Sequence, residues 1–321
     1  MISMPPKAMT THPAHKSAPK HTLLQLILHL LIFASASAQA ASFVPTNNPY
    51  EQPPPSPSIQ QQFIDRVQTN PRSEVKMRAW TCHGRTQKEM VDKLASAGII
   101  KHKPTQEAMI KVDRANYAGG RSGAYVDSPQ PIGYGQTISA PHMHAHALEE
   151  LMPTLTKAAI DHPDEEIKIL DVGCGSGYLT ACFGRLVDRG PNGPILPVKG
   201  RVYGIDAWSE LVDFSRANMM KEDSDLFESG TVSLQFGDGW EGLPDAGPFN
   251  AIHVGAAAST FPKSLMRQLQ VGGVMVIPVG PDGGVQSLYK VQRVKDSPKF
   301  DEDDYVIKNL LGVRYVPLFH P

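Results

Sequence analysis

The chain has no aspartate or glutamate before Glu51, although Lys7, Lys16 and Lys20 all lie in that stretch. It has only three cysteines in 321 residues, Cys82, Cys174 and Cys182, too few for a disulfide framework. It has no excess of either charge: 31 Lys and Arg stand against 32 Asp and Glu, a formal net charge of -1. With both signs mixed along most of the sequence, nothing electrostatic favours a nucleic-acid binder or a purely polybasic membrane-surface protein. It has no internal repeat, and no apolar run near the ~20 residues that a membrane-spanning helix needs. Hydrophobic residues nonetheless make up 41% of the chain, which excludes wholesale disorder and leaves room for one large domain or two small ones.

The acid-free stretch has a recognisable order. Residues 23–33 read LLQLILHLLIF, then ASASAQA, then Ala41. A basic lead, a short apolar core and small residues at Ala38 and Ala40 predict a secretory signal over 1–40, cut after Ala40, and a secretory-pathway or extracellular mature protein. Gln25 and His29 interrupt the core, so stable membrane insertion of the mature chain is not expected. One alternative is a mitochondrial-type transit peptide, which the absence of Arg disfavours. The other is translation from Met77, at MRAWTCHG, leaving a cytosolic protein. Residues 41–71, with NNPYEQPPPSPSIQQQ, are a Pro- and Gln-rich linker too poor in apolar side chains to fold.

The folded domain is expected over 72–321. Thr86 and Glu89 make a capping box ahead of Met90, Val91, Leu94 and Ala97 at helical spacing, with Gly98 as the stop. A second short helix follows Thr105. From Ile167 onward short apolar strands alternate with helices: IKILDV, helix 178–187, RVYGID, helix 209–220, TVSLQF, FNAIHV, helix 263–270 and GGVMVIPVG, with SLYKVQRV and GVRYVPL strand-like at the end. The acidic run 301–304 reads as a solvated loop. This alternation predicts an α/β fold: a mostly parallel, doubly wound sheet covered on both faces, with an N-terminal helical lead-in.

After the first of these strands comes Asp171-Val172-Gly173-Cys174-Gly175-Ser176-Gly177, opening a helix. Glycines at a strand's carboxyl end let backbone approach a ligand, so this loop is a cofactor site by position. The dinucleotide fingerprint is G-x-G-x-x-G, whereas the spacing here is G-x-G-x-G behind an aspartate. A carboxylate suits a cationic, phosphate-free cofactor, and S-adenosylmethionine is one. Asp206, at the end of RVYGID, can accept both ribose hydroxyls. Gly237-Asp238-Gly239, after the third strand, offers an N–H and a carboxylate to an adenine edge, or is a plain turn. Cys174 and Cys182 have no metal-ligand spacing and read as small buried hydrophobes.

Residues 125–152 read YVDSPQPIGYGQTISAPHMHAHALEELM. With LTACF at 179–183, GID at 204–206, GDG at 237–239, IHVGAAA at 252–258, IPVG at 277–280 and YVPL at 315–318, the sequence from about 78 to 318 closely resembles the protein-L-isoaspartate (D-aspartate) O-methyltransferases. The TISAPHM segment is the specific part. The resemblance implies a Rossmann-like, seven-strand, S-adenosylmethionine-dependent methyltransferase domain, S-adenosylhomocysteine as product, isoaspartyl proteins and peptides as partners, and a monomer. It marks Ser139 as the active residue, and Gln136, Thr137, Ile138, Ser139 and His144 as cofactor contacts beside Asp171, Gly173, Gly175, Gly177, Asp206, Gly237 and Asp238. Ser139 also reads as a helix N-cap ahead of Pro141. His142, His144 and His146 alternate, but on a helix they do not share one face, and no metal is expected. His253, on an apolar strand, reads as a satisfied core histidine. The sequence departs from many animal members in having Phe319 after YVPL and ending at Pro321, which puts the C-terminal cofactor contacts in question. A small-molecule carboxyl methyltransferase and a cofactor-binding adaptor with little turnover are the rival readings.

Overall fold

The structure, a computed structural model, describes residues 82–120 and 122–321. The expected signal, the linker and the first residues of the expected domain lie outside the described residues.

The lead-in is α1 (Gln87–Ser96) and α2 (Lys103–Lys111). Thr86 caps α1, its hydroxyl accepting from Glu89 N at 3.2 Å, while the Glu89 carboxylate takes Arg85 N–H at 3.0 Å rather than the cap's own N–H. The second helix starts earlier than expected because Pro104 fits the first turn, where no N–H is needed. Next come a short hairpin, β1 (Gln130–Gly133) with β2 (Gln136–Ile138), and the long helix α3 (Pro141–Asp161).

The sheet strands are β3 (Ile167–Val172), β4 (Gly200–Asp206), β5 (Val232–Phe236), β6 (Phe249–Val254), β7 (Leu269–Val279), β8 (Gln286–Arg293) and β9 (Tyr305–Val313). Their order is β5-β4-β3-β6-β7-β8-β9, parallel from β5 to β7 and antiparallel across the last two pairings. Helices α4 (Tyr178–Leu186), α5 (Ser209–Met219), α6 (Asp225–Glu228) and α7 (Lys263–Arg267) lie between the strands. This is the Rossmann-like, mostly parallel sheet that the alternation of strands and helices predicts.

Alternate strand residues supply two cores. Ile169, Ala251, Val274 and Val276 join the helical side with Met90, Leu94, Leu148 and Phe183, whereas Leu170, Val172, Ile252, Val254, Met275 and Ile277 face Leu265, Met266 and a set of loops. Two-sided burial explains why apolar residues dominate these strands, and the buried polar pair within them, Asp171 and His253, is hydrogen-bonded together.

Three expectations at the C-terminal end are corrected. The helix expected over 263–270 stops at Arg267, because Leu269 already pairs with Phe249 at the start of β7. The partner of β8 is Tyr305–Val313, not GVRYVPL; beyond Val313 only Pro317 makes a bridge, to Ala257. The acidic run is not wholly solvated: Asp304 is buried and accepts from Ser297 N and Oγ at 3.0 and 2.8 Å.

Candidate active site

β3 is flanked by β4 on one side and β6 on the other, so the chain's winding reverses there. Ligands of open α/β sheets bind in the crevice outside the strand ends at such a point. The 173–177 loop starts from that crevice. Gly173, Gly175 and Gly177 have φ of 71°, 57° and 88°, a left-handed path that side chains resist. Gly173 N and Cys174 N both donate to Ile205 O, at 2.8 and 3.0 Å, folding the loop onto the end of β4. Gly255 follows β6 so closely that a Cβ there would lie 2.8 Å from Gly173 O.

Two adjoining cavities share Thr137, Gly173, Gly175 and Gly255. The first, about 540 Å³ with its open mouth, contains Gln136 and Asp206 of the expected residues, and adds Ile132, Ala207, Trp208, Leu211, Gly239, Ala256 and residues 316–319. The second, about 360 Å³, contains Ile138, Ser139, His144 and Asp171, and adds Cys174, Ser176, Tyr178, Leu179 and His253. The hairpin and the start of α3 therefore bring the TIS segment against the glycine loop, as the sequence led us to expect.

The two aspartates differ in their bonding. Asp206 accepts from Gly175 N at 3.0 Å and Trp208 N at 3.2 Å. Burial pushes its carboxyl above the usual range, while those backbone donors oppose the shift. Each oxygen keeps a lone pair for a further donor. Asp171 is gripped by side chains: His253 Nδ1 donates to one oxygen at 2.7 Å and Thr180 Oγ1 to the other at 2.5 Å. His253 is thus satisfied as expected, and it also faces the second cavity.

Other expected residues sit differently. Gly177 caps α4 and packs on Ser215 rather than lining either cavity. Gly237 N–H is engaged by Asp206 O at 3.0 Å, so it is not free for an adenine edge. Asp238 accepts from Trp240 N and pairs with His320 Nδ1, each at 2.8 Å, and its neighbour Gly239 takes the place on the wall. Ser139 does not cap α3, whose cap residue is Ala140 with no side-chain bond. The Ser139 hydroxyl instead pairs with the Tyr315 phenol, which burial pushes up to about 12.

The histidines are held singly. His142 Nδ1 donates to the buried Asp127 at 2.7 Å, and His144 takes Arg114 at 3.2 Å. Burial drives the Cys174 and Cys182 thiols up, away from thiolate chemistry. The C-terminal segment does reach the site. Leu318 N donates to Ala257 O at 2.8 Å, Trp240 Nε1 donates to Leu318 O at 3.1 Å, and Phe319 lines the first cavity.

Residues 85–320 match the protein-L-isoaspartate(D-aspartate) O-methyltransferase family. The chain belongs to that family. It is 38% identical over 240 residues to protein-L-isoaspartate O-methyltransferase of Caenorhabditis elegans, covering 75% of this chain and 95% of the relative. It is 40% identical over 232 residues to protein-L-isoaspartate O-methyltransferase 1 of Arabidopsis thaliana, covering 72% of this chain and 90% of the relative. A Plasmodium falciparum structure of a protein assigned as a protein-L-isoaspartate O-methyltransferase, in complex with S-adenosyl-L-homocysteine, superposes with a TM-score of 0.60 at 28% identity, covering 74% of this chain and 99% of that one.

The residues of this isoaspartate methyltransferase fit the cofactor. The left-handed glycine loop leaves bare backbone at the crevice, Asp206 retains acceptor capacity, and His144 Nε2 has no protein partner among the described residues. A cationic, hydroxyl-bearing ligand with an amino-acid end meets a suitable group at each of these places.

Proposed function

We propose that this chain repairs isoaspartyl damage, methylating the free carboxylate of L-isoaspartyl and D-aspartyl residues in proteins and peptides. The observation that carries the reading is the junction of the two cavities. The glycine loop and Asp206 bound one, Ser139 and His144 bound the other, and Thr137, Gly173, Gly175 and Gly255 belong to both.

S-adenosylmethionine, when bound, supplies an activated methyl group. In this reading Asp206 accepts the ribose hydroxyls, Gly173 and Gly175 allow close backbone approach, and Trp208 and Leu211 offer apolar surface to the base. The substrate carboxyl ionises near pH ~4, so at neutral pH it is already a nucleophile and the site needs no general base. The titratable side chains of the second cavity are His144, Asp171 and His253, the last with its Nδ1 committed to Asp171. Burial and the Arg114 charge hold His144 well below the ordinary histidine range, and Asp171 is occupied by His253 and Thr180. Alignment is what remains for the protein to provide, with Ser139 and the Tyr315 hydroxyl beside it orienting the carboxylate.

The test is transfer of a labelled methyl group to an isoaspartyl peptide beside its normal aspartyl twin. Labelling of the isoaspartyl peptide alone is expected. Labelling of both, or of neither, sinks the repair reading.

A further inference from the structure

Arg114 lies immediately after α2, in the short turn Arg114–Asn116, and its side chain is fully buried. A buried guanidinium normally faces a carboxylate. This one has none within salt-bridge distance among the described residues. Nε donates to Ala124 O at 3.0 Å, one terminal nitrogen donates to Ser139 O at 2.8 Å, and the other meets His144 Nδ1 at 3.2 Å. The guanidinium also lies over the Tyr178 ring, 5.5 Å from its centre. Burial lowers the Arg114 pKa to about 10, so the group stays charged at neutral pH.

Arginine has donors only, so Nδ1 of His144 is the acceptor in this contact and the ring proton sits on Nε2. Arg114, His253 and His142 each discourage a second proton on the imidazole, and the Tyr178 ring lies 5.0 Å away; the acid in the same cavity, Asp171, is bonded to His253 and Thr180. His144 lines the second cavity, and no protein group among the described residues takes its Nε2–H.

We infer that Arg114 is a positioning residue that fixes His144 as a neutral Nε2–H donor, aimed at a carboxylate bound in the second cavity, while pinning the Ser139 backbone through the same guanidinium. The inference rests on the methyltransferase reading above for the identity of the ligand. That reading supplies two carboxylates, the isoaspartyl side chain and the amino-acid end of the cofactor, and the chemistry at Nε2–H is the same for either. The buried positive charge forms no salt bridge among the described residues, and Asp127, the acid that acts on it from a distance, is bonded to His142, so an anionic occupant is favoured in both cases.

Nitrogen-15 spectra of histidine-labelled free protein test the tautomer directly. A protonated Nε2 and an acceptor Nδ1 are expected for His144 throughout about pH 5 to 8. An Nδ1–H tautomer, or an imidazolium in that range, overturns the inference. Arg114→Met should then weaken one ligand by roughly tenfold or more, as loss of a charge-supported hydrogen bond does. A weaker S-adenosylhomocysteine titration assigns the carboxylate to the cofactor, and a raised peptide KM with unchanged titration assigns it to the substrate. Arg114→Lys, which still has a donor for Nδ1, should restore the tautomer and part of the affinity. Should Arg114→Met fail to fold, His144→Phe is read in the same two ways. No change in either ligand for the folded variant overturns the inference. The spectra and the titration require no turnover, so a protein that methylates no isoaspartyl peptide removes the repair reading while leaving these readouts intact.

Discussion

Asp206 and Asp238 both end or follow a strand in the sheet and both precede a turn, yet their surroundings give them different work. Asp206 is held by two backbone N–H groups and borders the first cavity, whereas Asp238 is turned onto Trp240 N and His320. Asp206→Ala should therefore weaken S-adenosylhomocysteine by roughly ten- to hundredfold in a calorimetric titration, the cost of losing one or two charge-assisted hydrogen bonds. Because burial raises the Asp206 carboxyl, its ionised form is lost at a higher pH than an ordinary aspartate's. Affinity should fall on acidification below neutrality, and Asp206→Asn should flatten that fall; an unchanged pH profile in the variant would remove the assignment. Ser139→Ala is expected to lower turnover more than cofactor binding. Since Ser139 is not the α3 cap, what its urea-unfolding stability loses should be the bond to the buried Tyr315 phenol, about 1 kcal/mol, and Tyr315→Phe should lose a similar amount. The aspartates were legible in the sequence because strand ends were, and an acid at a strand end has few other uses. Arg114 was not legible, since its three partners come from residues 124, 139 and 144 and meet only when α3 packs on the lead-in.

Elements were read well where burial on both faces forces a continuous apolar run, and poorly where one edge or one turn decides. Ile167–Val172 and Phe249–Val254 match their expected spans because every position in them is covered or nearly so. Tyr305–Val313 alternates, with Tyr305 and Ile307 inward and Val306 outward, and it follows an acidic run that masks its start. The β1–β2 hairpin was hidden for another reason: its turn runs through Gly133, Tyr134 and Gly135, all at positive φ, and Tyr134 gives no signal of the strain it carries. The junction of β3 and β6 is where an element-scale test bites. Gly255→Ala adds a methyl 2.8 Å from Gly173 O, a backbone atom that cannot rotate away. Displacing the glycine loop should cost about 1–3 kcal/mol of stability and lower S-adenosylhomocysteine affinity in step, as overpacking in a fixed frame does. Thermal unfolding with and without ligand would check this, and an alanine variant with unaltered ligand stabilisation would show that the close approach is incidental.

At the scale of the whole molecule, the near-neutral charge suits an enzyme that meets many different damaged proteins, because a strong field would sort partners by net charge rather than by one misplaced carboxylate. Recognition then has to come from shape and local bonding around the crevice, and the two faces of the sheet contribute unequally to that shape. One face is covered by α1 to α6, while the other relies on α7 and loops carrying Trp240, Leu243, Phe261 and Leu318. The segment beyond β9 is the part of that thinner cover which also forms a cavity wall. It is tied by Tyr315 N to Gln286 at 2.7 Å, by the Pro317–Ala257 bridge and by both backbone groups of Leu318. Leu318 and Phe319 line the first cavity. Removing residues 318–321 should leave the sheet intact and lower the midpoint of thermal unfolding by only a few degrees, roughly 2–4 °C per kcal/mol for a domain of this size. S-adenosylhomocysteine affinity should drop more than this implies, by roughly tenfold, because the deletion opens the wall beside Gly239 to water and leaves Trp240 Nε1 without its acceptor. If titration of the truncated protein gives the full-length affinity, the terminal residues are cover for the second core and take no part in holding the ligand.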